Sequence, residues 1–114
     1  MALKIAVSPA GYDNIGEVLK SMDFAYELLN EELLTKSGSL SGYDVVFLNC
    51  SRTCENWAKP AAAALRDSVA GGGALYCSDY AADYVAAAFP SLVTFGGKQG
   101  SEGKLMARVV DLGL

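Results

Sequence analysis

The chain has 114 residues, a length at which one domain buries a core of its own, and we predict a single domain over residues 1–114. Nine basic and thirteen acidic residues give a net charge of -4 with no block of lysine or arginine, which argues against a nucleic-acid partner. Although 52% of the residues are hydrophobic, charged or polar residues interrupt every apolar run before the roughly 20 residues that a membrane helix needs, so we expect no membrane partner.

The N-terminal segment predicts a buried strand followed by a helix. Residues 4–7 are a short apolar run that ends at Ser8 and Pro9. Asn14 is placed to cap the helix, with Glu17 as the other half of a capping box. The inner face of this helix carries apolar residues at helical spacing, namely Ile15, Val18, Leu19 and Met22. The first apolar run is too short for a secretory signal, so we expect a cytoplasmic protein.

Two further strands are predicted in the middle of the chain. The aromatic and aliphatic residues at 24–29 predict a second strand, with a helix through this segment as the alternative. Residues 43–49 form a nearly continuous apolar run, which is typical of a central strand covered on both faces. A polar loop then leads into a helix predicted over about 60–70, with Pro60 in its first turn and Gly71 at its end.

The C-terminal third predicts a fourth strand, a helix and an edge strand. Residues 74–77 read as a buried strand, and Asp79 is placed to cap a helix that buries Tyr84, Val85, Ala88 and Phe89. The alternating residues at 104–110 suit an edge strand. Strands that alternate with helices predict a mainly parallel sheet with helices on both faces, and we expect the strand order 2-1-3-4 with the final strand at or near one edge.

Three stretches of the chain resemble the class I glutamine amidotransferase-like superfamily: YDVVFLNC, LRDSVAGGGALYCSDY and AADYVAAAFP. In that superfamily a strand, a helix and a Gly-Gly turn lead into the strand that carries the nucleophile elbow. The resemblance implies a flavodoxin-like, three-layer α/β sandwich and enzymes that use a cysteine, a histidine and a glutamate. Cys77, or the adjacent Ser78, stands where the elbow belongs, but the chain contains no histidine to serve as the base.

The predicted ligand-binding residues follow the strands at the carboxyl edge, where open α/β sheets bind ligands: Ser8, Cys50, Ser51, Arg52, Thr53, Ser78 and Asp79. Arg52, between two hydroxyl side chains, is suited to hold a carboxylate or a phosphate. The alternative is a solvated loop arginine that pairs with Glu55. We interpret Cys77 as a packing residue, because a buried thiol resists ionisation and Asp79 lies nearby.

We predict no metal and no cofactor. Cys50 and Cys54 lack the further cysteine or histidine ligands of a metal site, and an odd number of cysteines argues against a disulfide framework. An acidic cluster of Asp13, Asp79 and Asp83 for Mg²⁺ is an alternative to the capping role of Asp79.

The predicted function is that of a non-catalytic domain that binds a partner protein or a small anionic ligand at the carboxyl edge of the sheet. The alternative is a cysteine-dependent hydrolase or amidotransferase-like enzyme that uses Cys77, with Asp79, Asp13 or another subunit supplying the base. A set of aromatic residues around the fourth strand, beside an alanine-rich helix, further predicts a homodimer: Trp57, Tyr76, Tyr80, Tyr84 and Phe89.

Overall fold

The computed structural model describes residues 2–94, 103–104 and 106–108. In chain order the elements are β1 (Ile5–Val7), α1 (Ile15–Ser21), β2 (Glu27–Leu28), β3 (Val45–Leu48), α2 (Cys54–Ala70), β4 (Ala74–Cys77) and α3 (Ala82–Ala88). Two short 3-10 turns, Glu31–Thr35 and Asp79–Ala81, precede β3 and α3. The four strands form one all-parallel sheet in the order β2-β1-β3-β4, which confirms the predicted order and the central place of β3.

The register of the strands divides the apolar side chains between two cores. Because side chains alternate along a strand, Ala6, Val46 and Leu48 point to one face of the sheet. On that face they pack with α2, α3 and the first 3-10 turn in the main core. The other face carries Ile5 and Val7, which pack with Leu19 of α1 in a smaller core. The helices therefore lie on both faces, as predicted.

Strand β4 has the predicted bounds but is not buried on both faces. Within the described part of the chain it is an edge strand, and its side chains alternate between exposed and half-buried. Tyr76 is 45% exposed and lies beside Phe47, with ring centroids 5.5 Å apart. The expectation of full burial is wrong because α1, the helix on this face, packs over β1.

Helix α1 is capped as predicted, but fewer of its residues than predicted pack against the sheet. The Asn14 side chain accepts a hydrogen bond from the Glu17 N–H at 3.2 Å, which confirms the cap. Ile15 and Leu19 pack against the sheet. Val18 and Met22, which were predicted to do so, are 51% and 60% exposed, and Met22 lies beyond the end of the helix at Ser21.

Helix α2 begins six residues earlier than predicted, at Cys54, so Pro60 lies inside the helix and not in its first turn. An interior proline costs a helix about 3 kcal/mol, because a backbone hydrogen bond is lost. Burial of one continuous face of the helix offsets this cost, since Cys54, Ala58, Ala61 and Leu65 are each at most 5% exposed. The helix ends at Gly71, as predicted.

The turn after β4 differs from the predicted helix start. Asp79 does not cap α3: it lies in the 3-10 turn with a φ of 47°, and α3 begins at Ala82. Tyr84 and Ala88 are buried by α3, as predicted. The strand predicted over 24–29 is confirmed as the two-residue β2.

The strand predicted over 104–110 falls partly outside the described residues, and residues 104 and 106–108 lie outside any strand. Across the ranges that the structure describes, none of the helices combines the length and the apolar character needed to cross a lipid bilayer.

Candidate functional site

The carboxyl ends of the parallel strands meet at one edge of the sheet, and Asn49 at the end of β3 joins them. Its side chain is 2% exposed. The Oδ1 atom accepts a hydrogen bond from the Ile15 N–H at 2.8 Å, and Nδ2 donates to the carbonyl oxygens of Ser8 at 2.8 Å and Pro9 at 3.4 Å. The backbone N–H of Asn49 donates to Ser8 Oγ at 2.7 Å. A single buried amide thus fixes β3, the loop after β1 and the start of α1.

Asp13 connects the same loop to the two neighbouring strand ends. Its Oδ1 atom accepts a hydrogen bond from the Cys50 N–H at 2.7 Å, and its Oδ2 atom accepts one from Ser78 Oγ. The Tyr12 N–H donates to the Cys50 carbonyl at 2.7 Å. Gly11 lies so close that an added Cβ would be 2.3 Å from the Cys50 carbonyl oxygen. The loop is therefore held tightly across the ends of β1, β3 and β4.

Above this floor is an open cleft with a volume of about 380 Å³. Its lining comes from the loops that follow β1, β3 and β4 and from the first turns of α2 and α3: Tyr12, Ser51, Arg52, Glu55, Tyr80 and Asp83. The rings of Tyr12 and Tyr80 are tilted by 47°, with centroids 6.0 Å apart. Two aromatic walls, one guanidinium and two carboxylates thus surround one space.

Arg52 is the basic group of the cleft. Its Nε atom donates a hydrogen bond to the hydroxyl of Tyr12. The side chain makes no ion pair with Glu55 or with any other carboxylate among the described residues, so the pairing with Glu55 that was the alternative for Arg52 is not found there. A guanidinium has five N–H donors, and the four on its terminal nitrogens make no hydrogen bond within the described ranges. They are available to a planar anion such as a carboxylate.

The structure places the predicted ligand-binding residues in the cleft, in its floor or, for the exposed Thr53 and Asp79, in neither. Ser51 and Arg52 line the cleft. Ser8, which is 4% exposed, and Ser78 belong to the floor, where both hydroxyls are hydrogen-bonded. Thr53 is exposed and donates to Glu31 Oε1 at 3.3 Å.

Cys50 is also part of the floor. The Tyr80 N–H donates to its sulfur at 3.4 Å. Burial raises the pKa of the Cys50 thiol, and the carboxylates of Asp79 and Asp13 raise it further, against the lowering effect of that N–H. A thiol in this setting is kept protonated.

Cys77 has an environment unlike that of an activated nucleophile. It is half-buried and packs against the main core, next to α2 and α3. Burial raises its pKa to about 12, with a smaller contribution from Cys54. The left-handed backbone of this turn occurs at Asp79, whereas Ser78 has a φ of -109°. The strand end therefore presents Cys77 to the interior.

The acidic cluster considered for Mg²⁺ is not assembled. Among the described residues there is no group of three or more histidine, cysteine, aspartate or glutamate side chains placed to hold a metal ion. Both carboxylate oxygens of Asp13 are occupied by protein donors, while Asp83 lies at the cleft. Cys50 and Cys54 are free thiols.

Sequence reasoning did not place Tyr12, Tyr80, Glu55 and Asp83 together in one cleft. One signal pointed to them: Arg52 and Glu55 are separated by three positions, as are Tyr80 and Asp83. The two pairs follow neighbouring parallel strands, β3 and β4, and so project at the same edge of the sheet. The predicted aromatic surface is divided, since Tyr80 faces the cleft, Tyr84 is buried and Tyr76 lies on the sheet.

Together, the fold and the site define an α/β protein with a parallel sheet and a charged, aromatic cleft at the carboxyl edge. Comparison of the chain with protein-family models, with curated proteins and with solved structures finds no match. The resemblance to the glutamine amidotransferase-like superfamily stays a prediction.

Proposed function

We propose that the chain is a flavodoxin-like domain of the glutamine amidotransferase-like type that binds, without catalysing a reaction, a small ligand with an anionic group in the cleft of Arg52. The observation that carries the proposal is the guanidinium of Arg52, which Tyr12 holds through Nε while its terminal nitrogens make no hydrogen bond in the described ranges. A held guanidinium loses less freedom when it binds a carboxylate than a mobile side chain does.

The position and size of the cleft support the same proposal. Ligands of open parallel sheets bind outside the carboxyl ends of the strands, which is where this cleft lies. A volume of about 380 Å³ falls within the range of small-molecule sites. Tyr12 and Tyr80 add aromatic surface against which the apolar part of a ligand packs.

Binding, as opposed to turnover, is supported by the state of the thiols. The alternative enzyme needs Cys77 as a thiolate, but burial raises the pKa of this thiol to about 12. The chain has no histidine to take the proton. Of the two carboxylates considered as a substitute base, Asp13 already accepts hydrogen bonds from the Cys50 N–H and from Ser78 Oγ.

A titration with benzoate and its neutral analogue benzamide tests the proposed function. We expect benzoate, followed by the backbone amide signals of ¹⁵N-labelled protein, to shift signals at the cleft, and benzamide to shift them less. Arg52→Gln should weaken benzoate binding about fivefold, the effect of losing one exposed ion pair. Arg66→Gln is the matched control, because Arg66 lies on α2 and its Nη1 atom donates to the Ala88 carbonyl.

Two results would contradict the proposal: benzoate that leaves the cleft signals unmoved, or benzoate binding that Arg52→Gln does not weaken. Association with a partner protein and formation of a homodimer stay predictions as well. Sedimentation velocity over a range of protein concentrations tests the homodimer, since a dimer gives a sedimentation coefficient that rises with concentration.

A further inference from the structure

We propose that the ligand of the cleft is a zwitterion of the α-amino-acid type, whose carboxylate binds Arg52 and whose ammonium group lies between Glu55 and Asp83. This inference rests on the proposed function and extends it, because it assigns a second charge to the ligand. The observation behind it is that charges of both signs line the same cleft.

The charges of the cleft do not neutralise one another within the protein. Arg52 donates to Tyr12, and within the described part of the chain the side chains of Glu55 and Asp83 make neither a hydrogen bond nor an ion pair. One guanidinium and two carboxylates are thus left facing a common space. A ligand that pairs with both signs gains more from this arrangement than one that pairs with a single sign.

A ligand with only negative charge fits this arrangement less well than a zwitterion does. Its anionic group is attracted by Arg52 but repelled by the two carboxylates that line the same cleft. A ligand with only positive charge meets the reverse conflict at Arg52. A zwitterion that carries an ammonium group and a carboxylate on one carbon can place each charge against its opposite.

The aromatic walls set the third requirement of the ligand. The rings of Tyr12 and Tyr80 are 6.0 Å apart at their centroids and bound the cleft beside Arg52. They provide surface for an apolar or aromatic side chain, and a tyrosine face also attracts an ammonium group. The three features together describe an amino acid with an apolar side chain.

Glu55 and Asp83 also have a role that needs no ligand. Each lies in the first turn of a helix, where a negative side chain interacts favourably with the helix dipole and stabilises the helix. That role predicts an effect on stability and none on ligand selectivity. Selectivity among probes of different charge therefore separates the two explanations.

The test compares three probes with the same aromatic ring: L-phenylalanine, which is a zwitterion, N-acetyl-L-phenylalanine, which is an anion, and phenethylamine, which is a cation. Binding is followed by the amide signals of the full chain at neutral pH. We expect phenylalanine to bind about fivefold more tightly than either of the other two, as the loss of one ion pair predicts.

Variants assign that preference to the acidic residues. In Asp83→Asn and in Glu55→Gln the preference for phenylalanine over the N-acetyl form should shrink, while binding of the N-acetyl form is kept or improved. Glu17→Gln, a change at an exposed position on α1, is the matched control and should keep the full preference.

The outcomes separate this inference from the proposed function. If N-acetylphenylalanine or phenethylamine binds the unmodified protein as tightly as phenylalanine, the zwitterion is excluded, while benzoate binding that depends on Arg52 keeps the anion site. If phenylalanine is preferred but both variants keep that preference, the role of the carboxylates is wrong. If none of the probes, benzoate included, binds at the cleft, both proposals fail.

Discussion

Replacing Asn49 with aspartate changes one buried NH₂ group to an oxygen and leaves the size of the side chain almost unchanged. One oxygen still accepts the hydrogen bond from the Ile15 N–H. The other faces the carbonyl oxygens of Ser8 and Pro9, to which the amide now donates. The introduced carboxyl group therefore has two states in the folded protein, an ionised state that is repelled by these carbonyls and a protonated state that keeps one donor.

The free-energy costs of these two states set the range of the expected loss of stability. In the ionised state two donor bonds are lost, each worth about 1 kcal/mol, and a buried charge faces two acceptors. In the protonated state the introduced carboxyl group, whose pKa in the unfolded chain is about 3.9, must keep its proton at pH 7. This lowers the free energy of unfolding by about 4 kcal/mol. Since the folded protein adopts the less costly state, we expect a loss of about 2–4 kcal/mol at pH 7.

The dependence on pH gives this prediction its sign. A folded-state pKa above the unfolded value means that the penalty is nearly absent below about pH 4 and grows as the pH rises towards the folded-state pKa. The deficit of Asn49→Asp relative to the unmodified protein should therefore shrink from about 2–4 kcal/mol at pH 7 to about 1 kcal/mol at pH 4. Urea unfolding followed by circular dichroism at both pH values measures it.

Asn56→Asp is the matched control, because Asn56 is exposed in the first turn of α2 and an acidic residue is favourable there. We expect it to change stability by less than about 0.5 kcal/mol at either pH. A deficit for Asn49→Asp that is below about 1 kcal/mol at pH 7, or that is the same at pH 4, would show that the buried amide does not hold the strand ends together.

Three further predictions concern the floor of the site and the core. Gly11→Ala should reduce the free energy of unfolding by about 1–3 kcal/mol and perturb the cleft signals, because its Cβ would lie 2.3 Å from the Cys50 carbonyl oxygen. The control Gly42→Ala should cost less than about 1 kcal/mol, because its Cβ would meet only Lys4 Nζ at 3.4 Å, and equal costs of the two variants in urea unfolding would contradict the close approach at Gly11. Cys77 should react with iodoacetamide at pH 8 far more slowly in the folded protein than in urea, because burial raises its pKa to about 12. Mass spectrometry of the modified peptide measures the rate, and rapid labelling in the folded protein would support the enzyme alternative. Burial also raises the pKa of Tyr84 above its ordinary 10.0, so the free energy of unfolding should be constant below pH 9 and fall as the pH rises above 10. In Tyr84→Phe this fall, measured by urea unfolding at pH 9 to 11, should be smaller, and an unchanged dependence on pH would contradict the prediction.

Local sequence patterns were sufficient to predict the four strands of the sheet and their order. Apolar runs that end in polar loops located β1, β3 and β4, and right-handed crossovers then allowed few arrangements of a parallel sheet. The start of α2 was missed because a proline is a strong local signal for a first helical turn. Its true start depends on Cys54 and Ala58, whose burial is a tertiary effect. The exposure of Tyr76 was missed for the same reason, since it depends on where α1 packs.

The cleft was predicted in part. The position of Arg52 after the central strand was enough to predict an exposed guanidinium at the carboxyl edge. Its partner was not predictable, because Tyr12 is 40 positions away in sequence and reaches Arg52 only through the loop that Asp13 and Asn49 hold. Contacts of this kind are set by the fold, and no local sequence pattern indicates them.

The difference between the floor and the cleft explains which polar residues are available to a ligand. Ser8, Asp13 and Asn49 make hydrogen bonds to the protein through their side chains, so a ligand that used them would first have to break buried contacts. Arg52 keeps donors that no described residue uses, and it stands on a loop that these same contacts fix. The charged groups above the floor are therefore the ones that contact a ligand. Their geometry should be nearly the same before and after a ligand binds. Signals of Asn49 and Ser78 should accordingly move less than those of Arg52 and Tyr80 in every titration that fills the cleft.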